Sequence, residues 1–451
     1  MLDKQLFILA HEVGCSSFYS DYQKCIKNQW KPYKELKKGQ EKQLRHMINH
    51  CYDNVPYYHD LFNSLKLQPA DIRIIEDLEK LPVLTKDTIK QHWEAFKPVG
   101  LPKMKYYSLT TGGSTGNPLS YRMSKHDRFL SGVLLYRGWG YGGYELGDRM
   151  VMLAGSSLDI GTKSRMTKFV HEIARNIKKL SSLDLGEKEM REYVETINSF
   201  KPDSIRGYAF SIYFFAKWIE ENNLTIHSPA AVFTTAEKLY PHMQSKIADI
   251  FGCEVFDGYG LNDGGVSANE CPEHTGLHID TERSVMEGVD QEGYQVDEGV
   301  GQILATSLHN YALPFIRYET GDMGNFLPED DECACGRGYR LLKGIIGREK
   351  EFLITPLGKY VHGAAFFFDI LNEFSHINEI SEYQLVQETV NDICLNLVSN
   401  APFDKKELEK VAELVSKRSG GWNMRFNFVD AIERTGAGKY KFIINKVNDV
   451  R

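Results

Sequence analysis

From Asp148 to Asp257 short apolar runs alternate with longer segments of helical periodicity, and this alternation constrains the fold more than any other feature. Met150-Val151-Met152-Leu153-Ala154 is stopped by Gly155-Ser156-Ser157. Ala230 to Thr235 and Cys253 to Asp257 repeat the pattern, and Pro241 to Phe251 between them reads as a helix. Such runs suit strands buried on both faces. Strands alternating with helices predict an α/β domain with a largely parallel sheet.

The flanks have a different texture. The first hundred residues are polar and helical: Leu44, Met47 and Ile48 recur at helical spacing, and Thr85 stands where an N-cap is expected. Asp127 to Trp139 reads as an amphipathic helix. After Gly288 short strands punctuated by glycine and acids are expected, as in Gly301 to Thr306. A further change near Gly344 sets off a unit of about a hundred residues, a normal domain size. The expected architecture is α/β. A large N-terminal domain over residues 1–346, helical over 1–100 with an α/β core over 101–346, has mixed, largely parallel sheets flanked by helices. A small mobile α+β C-terminal domain follows over 347–451, with the hinge close to Gly347.

Bulk properties exclude several function classes. The 451 residues are too many for one ordinary core, and 42% hydrophobic residues suit a globular chain rather than a disordered one. A formal net charge of -7 disfavours general nucleic-acid binding, which needs a basic face. Eight cysteines in so long a chain do not make a disulfide-dense secreted module. No run reaches the ~18 apolar residues of a spanning helix, and the N-terminus lacks a basic region and a cleavage site. The expectation is a cytoplasmic protein with reduced thiols and no integral membrane segment.

Five glycine-punctuated segments carry candidate chemistry. Thr110 to Pro118 reads TTGGSTGNP. Its glycines let successive N–H groups face an anion, and its hydroxyls add donors that pivot to suit phosphate oxygens. No GKS or GKT closes it, so it is not the Walker loop. Asp257 to Asp263 reads DGYGLND and follows an apolar strand, where ligands of open α/β sheets sit. Tyr259 offers a flat face for a base, and Asp263 a hard oxygen for Mg²⁺. Arg317 to Asp322 reads RYETGD, with a carboxylate placed to accept from ribose hydroxyls. Gly347-Arg348 with Glu351 comes next, then a hairpin turn at Pro356-Leu357-Gly358. Thr435 to Lys439 reads TGAGK. Taken singly, each is also a common turn composition.

A second constellation is rich in soft ligands. Cys271, His274 and His278 lie in ECPEHTGLHI, and Cys333 and Cys335 in CACGR. Four nitrogen or sulfur donors in two short groups suit a closed tetrahedral structural zinc. The CxxH spacing favours His274, and His278 competes for the same place.

In their order along nearly the whole chain, TTGGSTGNP, RGYAFSIYFFAK, TTAEKL, DGYGLND, RYETGD, GREKEFL and TGAGK resemble the adenylate-forming superfamily of acyl-CoA synthetases and peptide synthetase adenylation domains. The likeness is to its phenylacetate–CoA ligase-like branch and the CapK subgroup linked with capsular polysaccharide. The resemblance implies an ATP-dependent, AMP-forming carboxylate ligase. A small-molecule carboxylic acid attacks the α-phosphate of ATP, and a thiol (CoA) or an amine then displaces AMP, with a role in surface polysaccharide biosynthesis. It implies that Thr110, Thr111, Ser114 and Thr115 hold the β- and γ-phosphates. Ala236 and Glu237 line the adenine edge, Tyr259 stacks on it beside Gly260, and Asp322 holds the ribose with Arg348 nearby. Asp263 takes the Mg²⁺ and Lys439 bridges carboxylate and phosphate. The zinc-bearing relatives resemble this chain at the histidine of GLH, which gives Cys271, His278, Cys333 and Cys335 as ligands. A monomer or homodimer is expected. Tyr213 and Phe214, with Phe210, are candidates for the acyl pocket or for core. Asn262-Asp263 replaces the family's usual Thr-Glu. That departure leaves an alternative: a nucleotide-binding scaffold of the same fold without efficient adenylation.

Overall fold

A computed structural model of the chain describes residues 2–111, 119–154, 172–182, 186–237, 239–345, 352–363, 366–367, 370, 374, 380–399, 403–432 and 443–447. Helices α1 (Leu2–Glu12), α2 (Phe18–Asn28), α3 (Tyr33–Asn54), α4 (Pro56–Ser64) and α5 (Lys86–Gln91) open it. Thr85 caps α5, its hydroxyl accepting from the Thr88 amide at 3.2 Å. The hairpin β1 (Tyr106–Thr110) and β2 (Ser120–Ser124) leads into α6 (Lys125–Trp139).

The alternating region forms a five-stranded parallel sheet. Its strands are β3 (Met150–Ala154), β4 (Ile177–Ser181), β5 (Ser204–Tyr208), β6 (Ala231–Thr235) and β7 (Glu254–Phe256), in the order β4-β3-β5-β6-β7. The period-2 rule assigns side chains to faces. Val151, Leu153, Ile205, Val232 and Val255 pack against α7 (Glu187–Phe200), α8 (Ala209–Glu221) and α9 (Pro241–Phe251). Met150, Met152, Phe233 and Phe256 pack against α1, α2 and α6. Gly207 lets β5 approach β3, since a Cβ there would sit 2.3 Å from the Leu153 carbonyl oxygen.

A seven-stranded antiparallel sheet adjoins it, in the order β11-β12-β13-β14-β10-β9-β8. Its strands are β8 (Gly258–Gly260), β9 (Ser267–Glu270), β10 (Leu277–Ile279), β11 (Ser284–Val289), β12 (Gly299–Ser307), β13 (Tyr318–Phe326) and β14 (Leu341–Ile345). β12 and β13 have nine residues each, longer than the short strands expected, because the ladder absorbs its glycines through a register shift between Gln302 and Leu304. α6 also departs from expectation. Leu130, Val133, Leu134, Tyr136, Arg137, Gly138 and Trp139 are all buried, so it is not amphipathic. It lies between the two sheets: Trp139 packs with the parallel one, while Arg137 pairs with Asp280, just past β10.

The C-terminal region has its own core. The hairpin β15 (Phe352–Ile354) and β16 (Tyr360–His362) turns at Gly358, where φ is 75°. β17 (Ile380–Gln387), β18 (Asp392–Ser399), β19 (Asn423–Phe428) and β20 (Ile443–Asn445) form a four-stranded sheet that packs with α10 (Lys405–Ser419). Leu353, Tyr383, Leu395, Val415 and Trp422 are among its buried residues.

Candidate active site and metal centre

The carboxyl ends of β6 and β7 are neighbours, and this brings two of the marked loops together. Ala236 and Glu237 follow β6; Ala236 takes a left-handed backbone with φ 64°, and Glu237 is buried. Asp257 follows β7 and is half-buried; its carboxylate accepts from the Thr234 hydroxyl at 2.8 Å and from the Gly258 amide at 2.9 Å. Burial, with Glu270 nearby, pushes its pKa up to about 6 against those hydrogen bonds. Tyr259 and Gly260 continue into β8.

Two hydrogen bonds join this loop to β13. The Tyr259 hydroxyl donates to Asp322 Oδ2 at 3.1 Å, and the Tyr318 hydroxyl donates to Asp263 Oδ2 at 2.9 Å. Residues sixty-three and fifty-five positions apart thereby share one cleft. The start of β13 is held firmly. Arg317, left-handed with φ 52°, is buried against Glu287 at 3.1 Å and donates to the Leu81 carbonyl at 2.8 Å. Arg283 holds the other side, donating to the carbonyls of Leu261 (3.4 Å) and Asn262 (3.3 Å) while paired with buried Asp127. The sequence reading missed Tyr318, Arg283 and Asp127. Their partners lie 55, 21 and 156 residues away, so no local pattern marks them.

Thr110 ends β1 opposite Ser120. The Thr111 amide donates to the Leu119 carbonyl and its hydroxyl accepts from the Leu119 amide, both at 2.9 Å, so Thr111 closes the neck of the hydroxyl-rich loop. The hairpin is tied toward β13 through Asn310, which accepts from the Ser124 amide and donates to the Arg122 carbonyl. Ser114, Thr115, Arg348, Glu351 and Lys439 lie outside the described residues. Tyr213 and Phe214 pack against the α7–α9 side of the parallel sheet.

The second constellation is compact. One donor atom from each of Cys271, His278, Cys333 and Cys335 lies within 4.8 Å of the others. Cys271 Sγ is 3.6 Å from Cys333 Sγ, and Cys335 Sγ is 3.4 Å from His278 Nε2. A tetrahedron with Zn–S bonds of about 2.3 Å has S···S edges of about 3.8 Å, so this donor set fits zinc. Burial, helped by the charges of Arg337 and Arg137, lowers the His278 pKa to about 3, which leaves the neutral imidazole that a metal requires. Hydrogen bonds from Arg337 and the neighbouring thiols outweigh burial at Cys335 and favour its thiolate. His274 points elsewhere: it pairs with Glu270 at 3.1 Å and stacks on Phe256.

Comparison with known proteins fits this arrangement. Residues 353–446 match the CapK C-terminal domain. Protein CapK of Staphylococcus aureus is 25% identical over 90% of this chain and 89% of its own length. The phenylacetate-coenzyme A ligase of Aromatoleum evansii is 24% identical over 91% and 94%. The chain is an adenylate-forming ligase, homologous to CapK and to the phenylacetate-coenzyme A ligases. A 2-hydroxyisobutyryl-CoA ligase solved in complex with 2-HIB-AMP and CoA shares the fold of this ligase at a TM-score of 0.60 and 19% identity, over 94% of this chain and 92% of that one. Among the described residues of the ligase no helix is long and apolar enough to cross a membrane.

Proposed function

We propose that the cleft between Ala236-Glu237, Tyr259 and Asp322 binds ATP and activates a small carboxylic acid as its acyl-adenylate. The contact that carries this reading is Tyr259 to Asp322, 3.1 Å, because a base platform and a ribose acceptor must stand one sugar apart. Tyr259 stacks on the adenine, with Gly260 leaving the ring room, and Ala236 and Glu237 line its edge. Asp322 accepts from the ribose hydroxyls, with Arg348 beside it. Thr110 and Thr111, with Ser114 and Thr115, hold the β- and γ-phosphates. Asp263, oriented by Tyr318, holds Mg²⁺, which when bound neutralises charge on the phosphates. Lys439 offsets the two negative charges brought together when the carboxylate meets the α-phosphate.

The acyl group then passes to a thiol or amine acceptor, CoA or an amine-bearing precursor of a surface polysaccharide. The C-terminal domain, residues 347–451, carries Lys439 in for the first step and away for the second. Cys271, His278, Cys333 and Cys335 hold a structural zinc with no open position, which joins the β9–β10 turn to the loop before β14. The protein acts in the cytoplasm as a monomer or homodimer.

The test is acid-dependent pyrophosphate exchange. Lys439→Ala is expected to lower it by orders of magnitude, with ATP binding by calorimetry little changed. Equal exchange in both proteins would refute adenylation and leave the nucleotide-binding scaffold.

A further inference from the structure

Four arginines are buried in the described residues: Arg137, Arg206, Arg283 and Arg317. Three answer to carboxylates. Arg137 pairs with Asp280 and Glu282, Arg283 with Asp127, and Arg317 with Glu287. Arg206 does not. It is 6% exposed and has no carboxylate and no hydrogen-bond acceptor among the described residues. Its electrostatic neighbours are the phenols of Tyr208 and Tyr136, and its guanidinium lies 5.1 Å from the centre of the Trp139 ring. Burial lowers its pKa to about 10, which still leaves it charged at neutral pH.

Removing a charge from water without a partner costs several kcal/mol. Three of the four buried guanidiniums meet carboxylates among the described residues and Arg206 meets none there, and its nitrogens are not among the fully enclosed polar atoms, so an incoming anion can reach it. The position of Arg206 says where that anion comes from. It is the third of five residues in β5, flanked by Met152 on β3 and Phe233 on β6, and faces α6. The strand's carboxyl end is two residues away, about 7 Å at 3.3 Å per residue, within reach of an extended arginine. That edge of an open α/β sheet is where ligands bind, and Ala236 and Asp257 leave the sheet there. Trp139 covers a face of the guanidinium, and its edge donors suit a planar carboxylate or a phosphate. Arg128, also on α6 and also without a carboxylate partner among the described residues, adds positive charge near Tyr136.

We propose that Arg206 selects an acid substrate bearing a second anionic group, a carboxylate or phosphate remote from the carboxylate that is activated. This rests on the ligase reading and adds the class of acid.

The test compares wild type, Arg206→Gln and Arg206→Lys in pyrophosphate exchange with succinate and glutarate, with 3-phosphoglycerate, and with butyrate and valerate as singly charged controls. Wild type is expected to favour a doubly anionic acid by about tenfold or more in kcat/KM, the value of a charged hydrogen bond. Arg206→Gln should lose that preference, chiefly in KM, and leave the monoacids within about twofold. Arg206→Lys should retain part of it. Preference for phosphoglycerate over the diacids identifies the second group as phosphate, and the reverse as carboxylate. A wild type that prefers the monoacids, or an Arg206→Gln loss equal for all acids, overturns the proposal.

Thermal unfolding supplies an independent reading. Without substrate, Arg206→Gln should melt no lower than wild type, since it removes an unpaired charge; a lower Tm makes Arg206 a structural residue and overturns the assignment. If no acid supports exchange, the ligase reading fails by itself. The anion site then stands or falls on whether diacid or phosphoglycerate raises the Tm of wild type but not of Arg206→Gln.

Discussion

The Cys/His cluster and the proposed nucleotide cleft are both small polar constellations, yet they are built in opposite ways. In the cluster four donor atoms face one another within 4.8 Å, and each of its two contributing segments spans fewer than ten residues. In the cleft the polar groups come from segments far apart in sequence and are steadied by phenols reaching across it, Tyr318 on Asp263 and Tyr259 on Asp322. The first arrangement suits a fixed cross-link. The second suits a place where a guest completes the contacts. The difference teaches where function separates from stability: altering the cleft should change rate and spare the fold, and altering the cluster should do the reverse.

The largest test of that contrast is Asp263→Ala. Exchange should fall by about a hundredfold or more, the scale of losing a preorganised electrostatic contact, while the melting temperature stays near that of wild type. A melting loss comparable to the rate loss breaks the comparison. Next is the cluster. Metal analysis of protein never exposed to chelator should give one zinc per chain, and Cys333→Ser should lose it. Stability should drop by on the order of 3 kcal/mol, measured by denaturant unfolding, with exchange per folded molecule retained. Tyr318→Phe sharpens the cleft side: losing a hydrogen bond to a carboxylate costs about 1.5 kcal/mol, so exchange should fall roughly tenfold, mainly through weaker Mg²⁺ dependence.

The smallest effect is a pH slope. The folded pKa of Asp257 is raised to about 6 from 3.8, so the native state holds the proton more tightly than the unfolded chain. Its contribution to stability is full below about pH 4 and is lost as pH rises through about 6. The slope is at most about 1.4 kcal/mol per pH unit. Asp257→Asn should flatten that window in thermal unfolding; an unchanged slope would show that another group titrates there.

Much of this was legible in the chain, for physical reasons that differ by region. The parallel sheet is a local pattern, since a strand buried on both faces is an apolar run and needs no partner to be read. The candidate metal ligands were visible as two short groups; spacing alone left His274 and His278 competing, the family resemblance favoured His278, and the fold gives the physical reason by engaging His274 with Glu270 and Phe256. The antiparallel sheet was read as shorter strands because glycines inside β12 and β13 look like breaks, while a register shift accommodates them. The helical periodicity of α6 hid its surroundings: it is enclosed by two sheets, which periodicity alone does not reveal. The arginines of the site were the least legible. An arginine in sequence carries no sign of whether its counter-ion is a distant carboxylate, as for Arg283, or is absent among the described residues, as for Arg206.

Ala236 carries a consequence for laboratory evolution of this ligase. A left-handed backbone costs an L-residue of the order of 1 kcal/mol, and more when the side chain is β-branched. In a saturation library position 236 should therefore admit glycine and asparagine and reject valine, isoleucine and threonine, whatever acid the selection rewards. Codon enrichment there would report on the main chain just after β6. Position 206, by contrast, should change its favoured residue with the charge of the acid supplied.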